Sequence, residues 1–149
     1  MKTLSIALVL LVGTMSASLG QAKKQLLSKS SEFYQAIGKN VRYPSASSRA
    51  NSVAKAYVGF NINEQGSIAD VVVLNSTNVD SPFSEEIKRV LTKLPAQSQS
   101  DAGSYVIPIQ FQLETEQKTI QARDENSDFL TSLKDRKILE EVVVVGYAK

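Results

Sequence analysis

The sequence predicts an α+β fold in which a three-stranded antiparallel sheet packs against two helices, in the order helix, strand, strand, helix, strand. Three observations support this fold class: a hairpin pattern over residues 54–75, two stretches with helical apolar spacing, and a further alternating stretch over residues 105–113. The chain has 149 residues, which suggests one modest domain with appendages. Because a hairpin alone is marginally stable in water, the other elements are expected to cover its apolar face.

The hairpin is indicated by a strand pattern followed by a turn signal. Four apolar residues alternate with smaller or more polar ones, which is the two-residue period of a strand with one apolar face: Ala56, Val58, Phe60 and Ile62. Gly66 is placed in the turn, since glycine readily adopts the positive φ that a hairpin loop needs. Residues 68–74 form the predicted return strand.

Two amphipathic segments are predicted to be helices. The first covers residues 23–39, with Gly38 at the position just past the helix end that glycine favours. The second begins at Ser81-Pro82, where serine caps free N–H groups and proline fits the first turn, and it stops before Pro95. Its apolar stripe, which would face the sheet, consists of Ile87, Val90, Leu91 and Leu94.

The third strand is predicted over residues 105–113, with Ile107, Ile109, Phe111 and Leu113 on one face. Pro108 has no N–H to donate to a ladder, so this strand is expected at an edge of the sheet. An edge strand exposes unpaired N–H and C=O groups, and an extended peptide satisfies them when it adds to the sheet.

The N-terminal residues have the layout of a secretory signal peptide over residues 1–22. Lys2 precedes an apolar run over residues 4–12, and small residues follow as far as Gly20, with cleavage favoured after Ala22. The competing interpretation is an uncleaved membrane anchor, but the apolar run is short for a span of about 20 residues. The chain is therefore expected to be exported, with no membrane span after cleavage.

The composition excludes several classes of function. The chain has no cysteine and no histidine, so it offers no thiol nucleophile, imidazole base or imidazole metal ligand. Nothing in the sequence places two of its carboxylates in one cleft for acid–base chemistry. A net charge of +2 is too small to indicate nucleic acid as a partner. The sequence therefore predicts no enzymatic activity, no cofactor and no metal.

The C-terminal part is expected to be a linker and a strand. Residues 116–138 lack a strand pattern, and Ser127 could begin a helix there. Residues 139–149 follow as a terminal strand that contains four consecutive valines. Such a run is prone to aggregate unless it pairs with another strand.

Residues 33–113 resemble the TonB C-terminal domain family through five motifs in the right order. The motifs are Tyr43-Pro44, the hairpin over residues 58–68, the return strand over residues 71–76, the helix that closes with Leu94-Pro95, and the last strand over residues 107–113. The resemblance implies a protein-binding domain in the periplasm of a Gram-negative bacterium. Unlike the energy-transducing members, this chain has a signal peptide in place of a membrane helix, and it lacks a proline-rich spacer and the W-x-P motif after Leu94-Pro95.

In this family the last strand accepts an extended peptide at the sheet edge. The resemblance therefore implies a peptide-binding edge strand formed by Tyr105, Val106, Ile107, Pro108, Ile109, Gln110, Phe111, Gln112 and Leu113. Residues 139–147 are in turn similar to the L-x-E-V-V-V-x-G-Y segment of SusC-type outer-membrane receptors, near their plug, where such receptors present a TonB-binding strand. The candidate ligand strand consists of Glu141, Val142, Val143, Val144, Val145, Gly146 and Tyr147.

Three interpretations of this ligand strand stay open. It adds to the edge of its own domain, it docks onto a separate TonB-like protein, or it is a tail or packing strand unrelated to either. The expected partner is an outer-membrane receptor or another TonB-like protein, and a homodimer that exchanges terminal strands is also compatible. The alternative function is a short energy transducer that an uncleaved N-terminal helix anchors in the inner membrane.

A small basic cluster lies in sequence around Tyr43-Pro44. It consists of Lys39, Arg42 and Arg49. An acidic partner or peptidoglycan could contact such a cluster, but the charges are few, and a solvated face is the favoured interpretation.

Overall fold

The computed structural model describes residues 26–114 and 127–147, and it shows an α+β fold. These residues contain four α-helices, namely α1 (Ser31–Asn40), α2 (Ser45–Arg49), α3 (Ser81–Leu91) and α4 (Ser127–Leu133). They also contain five strands, namely β1 (Ala54–Ile62), β2 (Ile68–Val73), β3 (Gly103–Leu113), β4 (Lys137–Ile138) and β5 (Val142–Gly146). Short 3₁₀ turns cover Leu27–Lys29, Ser76–Asn78 and Gln99–Asp101. The predicted signal peptide and most of the predicted linker lie outside the described residues.

The five strands form one mixed sheet, so the prediction of a three-stranded antiparallel sheet is wrong. The order is β2-β1-β3-β4, and β5 also pairs with β3, beyond the end of β4. Strand β1 is antiparallel to both β2 and β3, whereas β4 and β5 run parallel to β3. Strand β3 is therefore a central strand of the described sheet and not an edge strand, because the C-terminal part of the chain covers its outer side.

The turn between β1 and β2 forms where the sequence predicts it. Gly66 has a φ of +81°, and a Cβ at this position would lie 2.0 Å from the carbonyl oxygen of Gln97. The side chain of Asn63 closes the turn by accepting hydrogen bonds from the N–H groups of Gln65 and Ser67 at 3.0 and 2.9 Å. Both the backbone conformation and the close approach of the loop at Gln97 thus require glycine here.

The observed boundaries of α1 and α3 differ from the predicted ones. Helix α1 begins after Ser30, whose side chain accepts a hydrogen bond from the N–H of Phe33. It continues through Gly38 to Asn40, so the prediction that Gly38 lies past its end is wrong. In α3 the N-cap is Asp80, and Ser81 is already helical, with its hydroxyl donating to Glu85 at 2.7 Å.

The core lies between the sheet and the helices α1 and α3. Its largest side chains are four phenylalanines with at most 2% exposure, and they join α1, β1, α3 and β3: Phe33, Phe60, Phe83 and Phe111. The other face of the sheet is partly covered by the C-terminal segment. There the ring of Phe129 in α4 contacts that of Tyr57 at 4.9 Å between centroids. Both faces of β3 are therefore buried along most of its length.

Glu86 of α3 ties this helix to the end of α1. Its carboxylate accepts hydrogen bonds from the N–H of Arg42 at 2.7 Å and from the Arg89 guanidinium at 2.7 and 2.9 Å. Arg89 also donates to the carbonyl of Asn40 at 3.2 Å. The hydrogen bond with Arg89 is the largest of the effects that together hold the pKa of Glu86 below its ordinary value.

Glu86 should therefore stabilise the protein in a pH-dependent manner. A lowered carboxyl pKa adds stability above the unfolded-state pKa, and this stability is lost as pH falls through the folded-state pKa. We expect Glu86→Gln to lower the free energy of unfolding by about 1 kcal/mol near pH 7 and to have little effect near pH 2. Urea unfolding at both pH values measures this, with the exposed Glu64→Gln as control. An equal loss at both pH values would contradict it.

Candidate peptide-binding edge of the sheet

The candidate site is the outer side of β3, the side that faces away from β1. The direction in which the backbone groups of Pro108 point follows from those of Tyr57, because Tyr57 lies opposite Pro108 in the β1–β3 register. Tyr57 uses its N–H and C=O toward β2, since it donates to Asn75 Oδ1 at 2.9 Å and accepts from Leu74 N at 2.8 Å. Because facing residues of an antiparallel pair either both exchange hydrogen bonds or both point away, the nitrogen of Pro108 points to the outer side.

This direction explains how a proline fits into a central strand. The segment on the outer side is interrupted opposite Pro108, since β4 pairs with Tyr105 and Val106, whereas β5 pairs from Ile109 onward. The missing N–H therefore falls in the gap between two short strands, where no ladder hydrogen bond is lost.

The structure brings together the two segments that the sequence singles out, within one chain. Strand β5 runs parallel to β3 with Ile109 opposite Val142 and Leu113 opposite Gly146. The N–H of Leu139 donates to the carbonyl of Val106 at 2.8 Å, before β5 begins. The N–H of Glu114 donates to the carbonyl of Gly146 at 3.0 Å and closes the ladder at the other end.

The valine run of β5 is divided by the alternation of a strand. Val142 and Val144 face the core and are 9% and 8% exposed, and Leu139 before them is 4% exposed. Val143 and Val145 point to the opposite face and remain 48% and 46% exposed. Only two of the four consecutive valines therefore contribute core burial.

Both ends of the C-terminal strand are held by contacts that involve its backbone. The Tyr34 hydroxyl in α1 accepts a hydrogen bond from the N–H of Glu140 at 2.9 Å. The Ser48 hydroxyl in α2 donates to the carbonyl of Tyr147 at 2.6 Å. Burial raises the pKa of Tyr34 above its ordinary value, so its hydroxyl is neutral at physiological pH.

A salt bridge adds a side-chain contact at the start of the strand. Lys55 Nζ in β1 lies 2.5 Å from Glu141 Oε2, and both side chains are about one-third exposed, at 33% and 34%. Lys55 also lies over the ring of Tyr57. A pair as exposed as this is expected to contribute less than about 1 kcal/mol, so it favours an acidic residue here without dominating the pairing of β5 with β3.

Gly146 lies against the ring of Tyr43, where there is no room for a side chain. A Cβ at this residue would lie 2.4 Å from two ring carbons of Tyr43. The Tyr43 ring is held in place by edge-on contacts with Phe83 and Phe111 at 5.5 and 5.8 Å, and its hydroxyl donates to the carbonyl of Ser52. The ring cannot turn aside without breaking these contacts, so this position of the strand accepts glycine alone.

An open groove lies beside β5. It has a volume of about 480 Å³ and is lined by the end of α1, the residues after it, α2 and β5 itself. Arg42 belongs to its lining, whereas Lys39 and Arg49, the other members of the predicted basic cluster, do not. The structure thus places one of the three predicted basic residues beside the C-terminal strand.

The described part of the chain offers no metal-binding chemistry. Within residues 26–114 and 127–147, no three acidic, cysteine or histidine side chains are grouped so that they could hold a metal ion. None of the helices described is long and apolar enough to cross a membrane.

Several residues of the site could not be inferred from the sequence. Tyr34, Ser48 and Lys55 all contact the C-terminal strand, yet no local pattern distinguishes them. The Tyr43-Pro44 motif is visible in the sequence, but its contact with Gly146 is not. Comparison of the chain with protein-family models gives no match, and neither curated proteins nor solved structures are significantly similar to it.

Proposed function

We propose that this chain is an exported, non-enzymatic interaction module of the TonB-like type, which binds an extended segment of a protein partner by strand addition to the outer edge of β3. Strand β5 would be the resident occupant of that edge, and a partner strand would take its place. The parallel pairing of β5 with residues 109–113 carries the proposal. The edge of β3 accepts a short strand in a defined register, and parallel strands cannot be joined by a tight turn, so β5 reaches the edge as a remote segment.

The small size of β5 supports exchange with a partner. Its two buried valines contribute roughly 1.5–3 kcal/mol each. Ordering a residue of backbone costs roughly 1–2 kcal/mol, and β5 has five residues. Because the gain from burial and the cost of ordering are of similar size, the net free energy that holds β5 is small.

The partner we propose is an outer-membrane receptor or another TonB-like protein, contacted in the periplasm. Residues 139–147 are similar to the strand that such receptors present, and these residues occupy the edge of β3. A strand from outside would make the same backbone hydrogen bonds that β5 makes, and would meet the same core-facing side chains.

The test compares three full-length chains. Gly146→Ala loosens β5 through the contact with Tyr43, and Gly38→Ala is the matched control, because a Cβ at Gly38 meets nothing within 4 Å. Each chain is titrated with a fluorescent peptide that has the sequence of residues 139–149, read by anisotropy. A tethered strand competes at an effective concentration in the millimolar range, so wild type and Gly38→Ala should bind about 5- to 150-fold more weakly than Gly146→Ala, which is the factor by which that substitution loosens β5.

A negative result is interpretable if the state of β5 is measured in the same sample. Hydrogen exchange of the β5 amides reports whether the edge of β3 has become accessible in Gly146→Ala. If these amides exchange freely and the peptide still does not bind at high micromolar concentration, the proposed function is wrong.

A further inference from the structure

We infer that the outer edge of β3 selects its partner strand by a defined pattern: an acidic residue, then an apolar residue, a free position, a second apolar residue, a second free position, and glycine. This inference rests on the proposed function and names the class of partner. In β5 the pattern is filled by Glu141, Val142, Val144 and Gly146, with Val143 and Val145 at the free positions.

The glycine position is the most selective part of the pattern. Any side chain would place its Cβ 2.4 Å from the Tyr43 ring, which Phe83, Phe111 and the carbonyl of Ser52 hold in place. The contact is with rigid, packed ring carbons and not with the flexible end of a side chain, so small movements cannot relieve it.

The glycine also fixes the register of the bound strand. A slip by one residue would turn Val143 and Val145 to the core and expose the other two valines, since successive side chains of a strand point to opposite faces. A slip by two residues would restore the alternation but place a side chain on Tyr43. A strand with a single glycine therefore has only one register that buries the correct valines and also places the glycine against Tyr43.

The remaining positions differ in what they tolerate. Two positions face the core and require apolar side chains, because a charged group would be buried there without a partner. The two free positions, at Val143 and Val145, are about half exposed and accept polar residues. The acidic position is favoured by Lys55, with the modest strength of an exposed ion pair.

The end contacts contribute affinity without reading side chains. Tyr34 accepts a hydrogen bond from the N–H of Glu140, and Ser48 donates one to the carbonyl of Tyr147. Every residue offers such a carbonyl, and every residue except proline offers such an N–H. They set the length of chain that fits between α1 and α2, while the pattern between them decides which sequences bind. The partner is thus a protein with an exposed, extended segment of this pattern.

A peptide series tests the pattern on the full-length Gly146→Ala chain. Against the peptide of residues 139–149, the peptide variants Gly146→Ala and Val144→Lys should bind at least about fivefold more weakly. The variant Val143→Lys, which makes the same change at a free position, should bind within about threefold of the parent peptide. It is the matched control for Val144→Lys.

A charge exchange tests the acidic position separately. The peptide variant Glu141→Lys should bind roughly two- to fivefold more weakly to the Gly146→Ala chain. It should regain that loss on a chain that also carries Lys55→Glu, because the two charges are then exchanged. Thermal unfolding of both chains shows that the additional substitution leaves the fold intact.

The outcomes separate the two proposals. If the parent peptide binds and the Gly146→Ala and Val144→Lys peptides bind equally well, strand addition stands and the pattern is wrong. If the parent peptide fails to bind a chain whose β5 amides exchange freely, the proposed function fails and the pattern with it. Weak binding of the two variants, together with tight binding of the Val143→Lys peptide, supports both.

Discussion

Replacement of Phe111 by alanine is expected to lower the free energy of unfolding by about 3–5 kcal/mol. Phe111 lies in β3, is fully buried and packs against Phe83 at 4.6 Å between ring centroids. It also supports the Tyr43 ring, which lies over Gly146. The substitution leaves a cavity where the core of the domain meets the candidate site. We therefore expect it to weaken both the packing of the core and the pairing of β5 with β3.

Chemical denaturation of the full-length protein measures the loss. Tyr147→Ala is the control, since it also removes an aromatic side chain, but one that is 67% exposed. Its effect should stay within about 0.5 kcal/mol. A loss below about 1.5 kcal/mol for Phe111→Ala would show that this ring is not part of a tightly packed core.

Gly146→Ala is expected to release β5 selectively. The new methyl group meets the Tyr43 ring, and overpacking of this kind costs about 1–3 kcal/mol, which corresponds to a rise of roughly 5- to 150-fold in the hydrogen exchange of the β5 amides. The ladder between β1 and β2 is separated from β5 by β3, so its exchange should not change.

The matched control for this release is Gly38→Ala. Gly38 lies inside α1 with open space at its Cβ, so alanine there should stabilise the protein by about 0.5–1 kcal/mol and leave β5 protected. Two results would contradict the prediction: unchanged protection of β5 in Gly146→Ala, or an equal loss of protection across the whole sheet.

The elements that sequence reasoning predicted well are those with strong local signals. The alternation over β1, the glycine of the following turn and the apolar stripe of α3 as far as Leu91 are each contained in a short stretch of chain. The last predicted member of the stripe, Leu94, lies beyond the helix, which ends at Leu91 and not at Pro95. The sequence does not predict the end of α1, where a remote residue, Arg89, donates a hydrogen bond to the carbonyl of Asn40. A glycine at Gly38 is a common stop signal, and here it is overridden.

The sequence predicts β3 at an edge of the sheet, and this prediction is wrong for a reason that is not local. Proline is normally kept from central strands because one ladder bond is lost. Here the strand on the outer side consists of two pieces, and the break between β4 and β5 faces Pro108. No pattern in residues 105–113 reveals that break.

The candidate site was predicted as two strands but not as a set of contacts. Four consecutive valines show no alternation, so the division into buried Val142 and Val144 and half-exposed Val143 and Val145 follows only from the register with β3. The requirement for glycine at Gly146 arises from the ring of Tyr43, which is close in space but far away in the chain. Contacts between residues so far apart in the chain cannot be read from one sequence.

The most direct test of exchange at β3 is an NMR titration of the isotope-labelled wild-type chain with the unlabelled peptide of residues 139–149. We expect the amide signals of Val142–Gly146 to move toward those of a free strand, while the signals of residues 109–113 stay near their original positions, because one strand replaces an identical one. Cross-strand contacts between the peptide and β3 should appear at the same time. If the β5 signals remain unchanged at peptide concentrations of several millimolar, about the effective concentration of a tethered strand, β5 is a fixed strand of the fold and the edge is not a binding site.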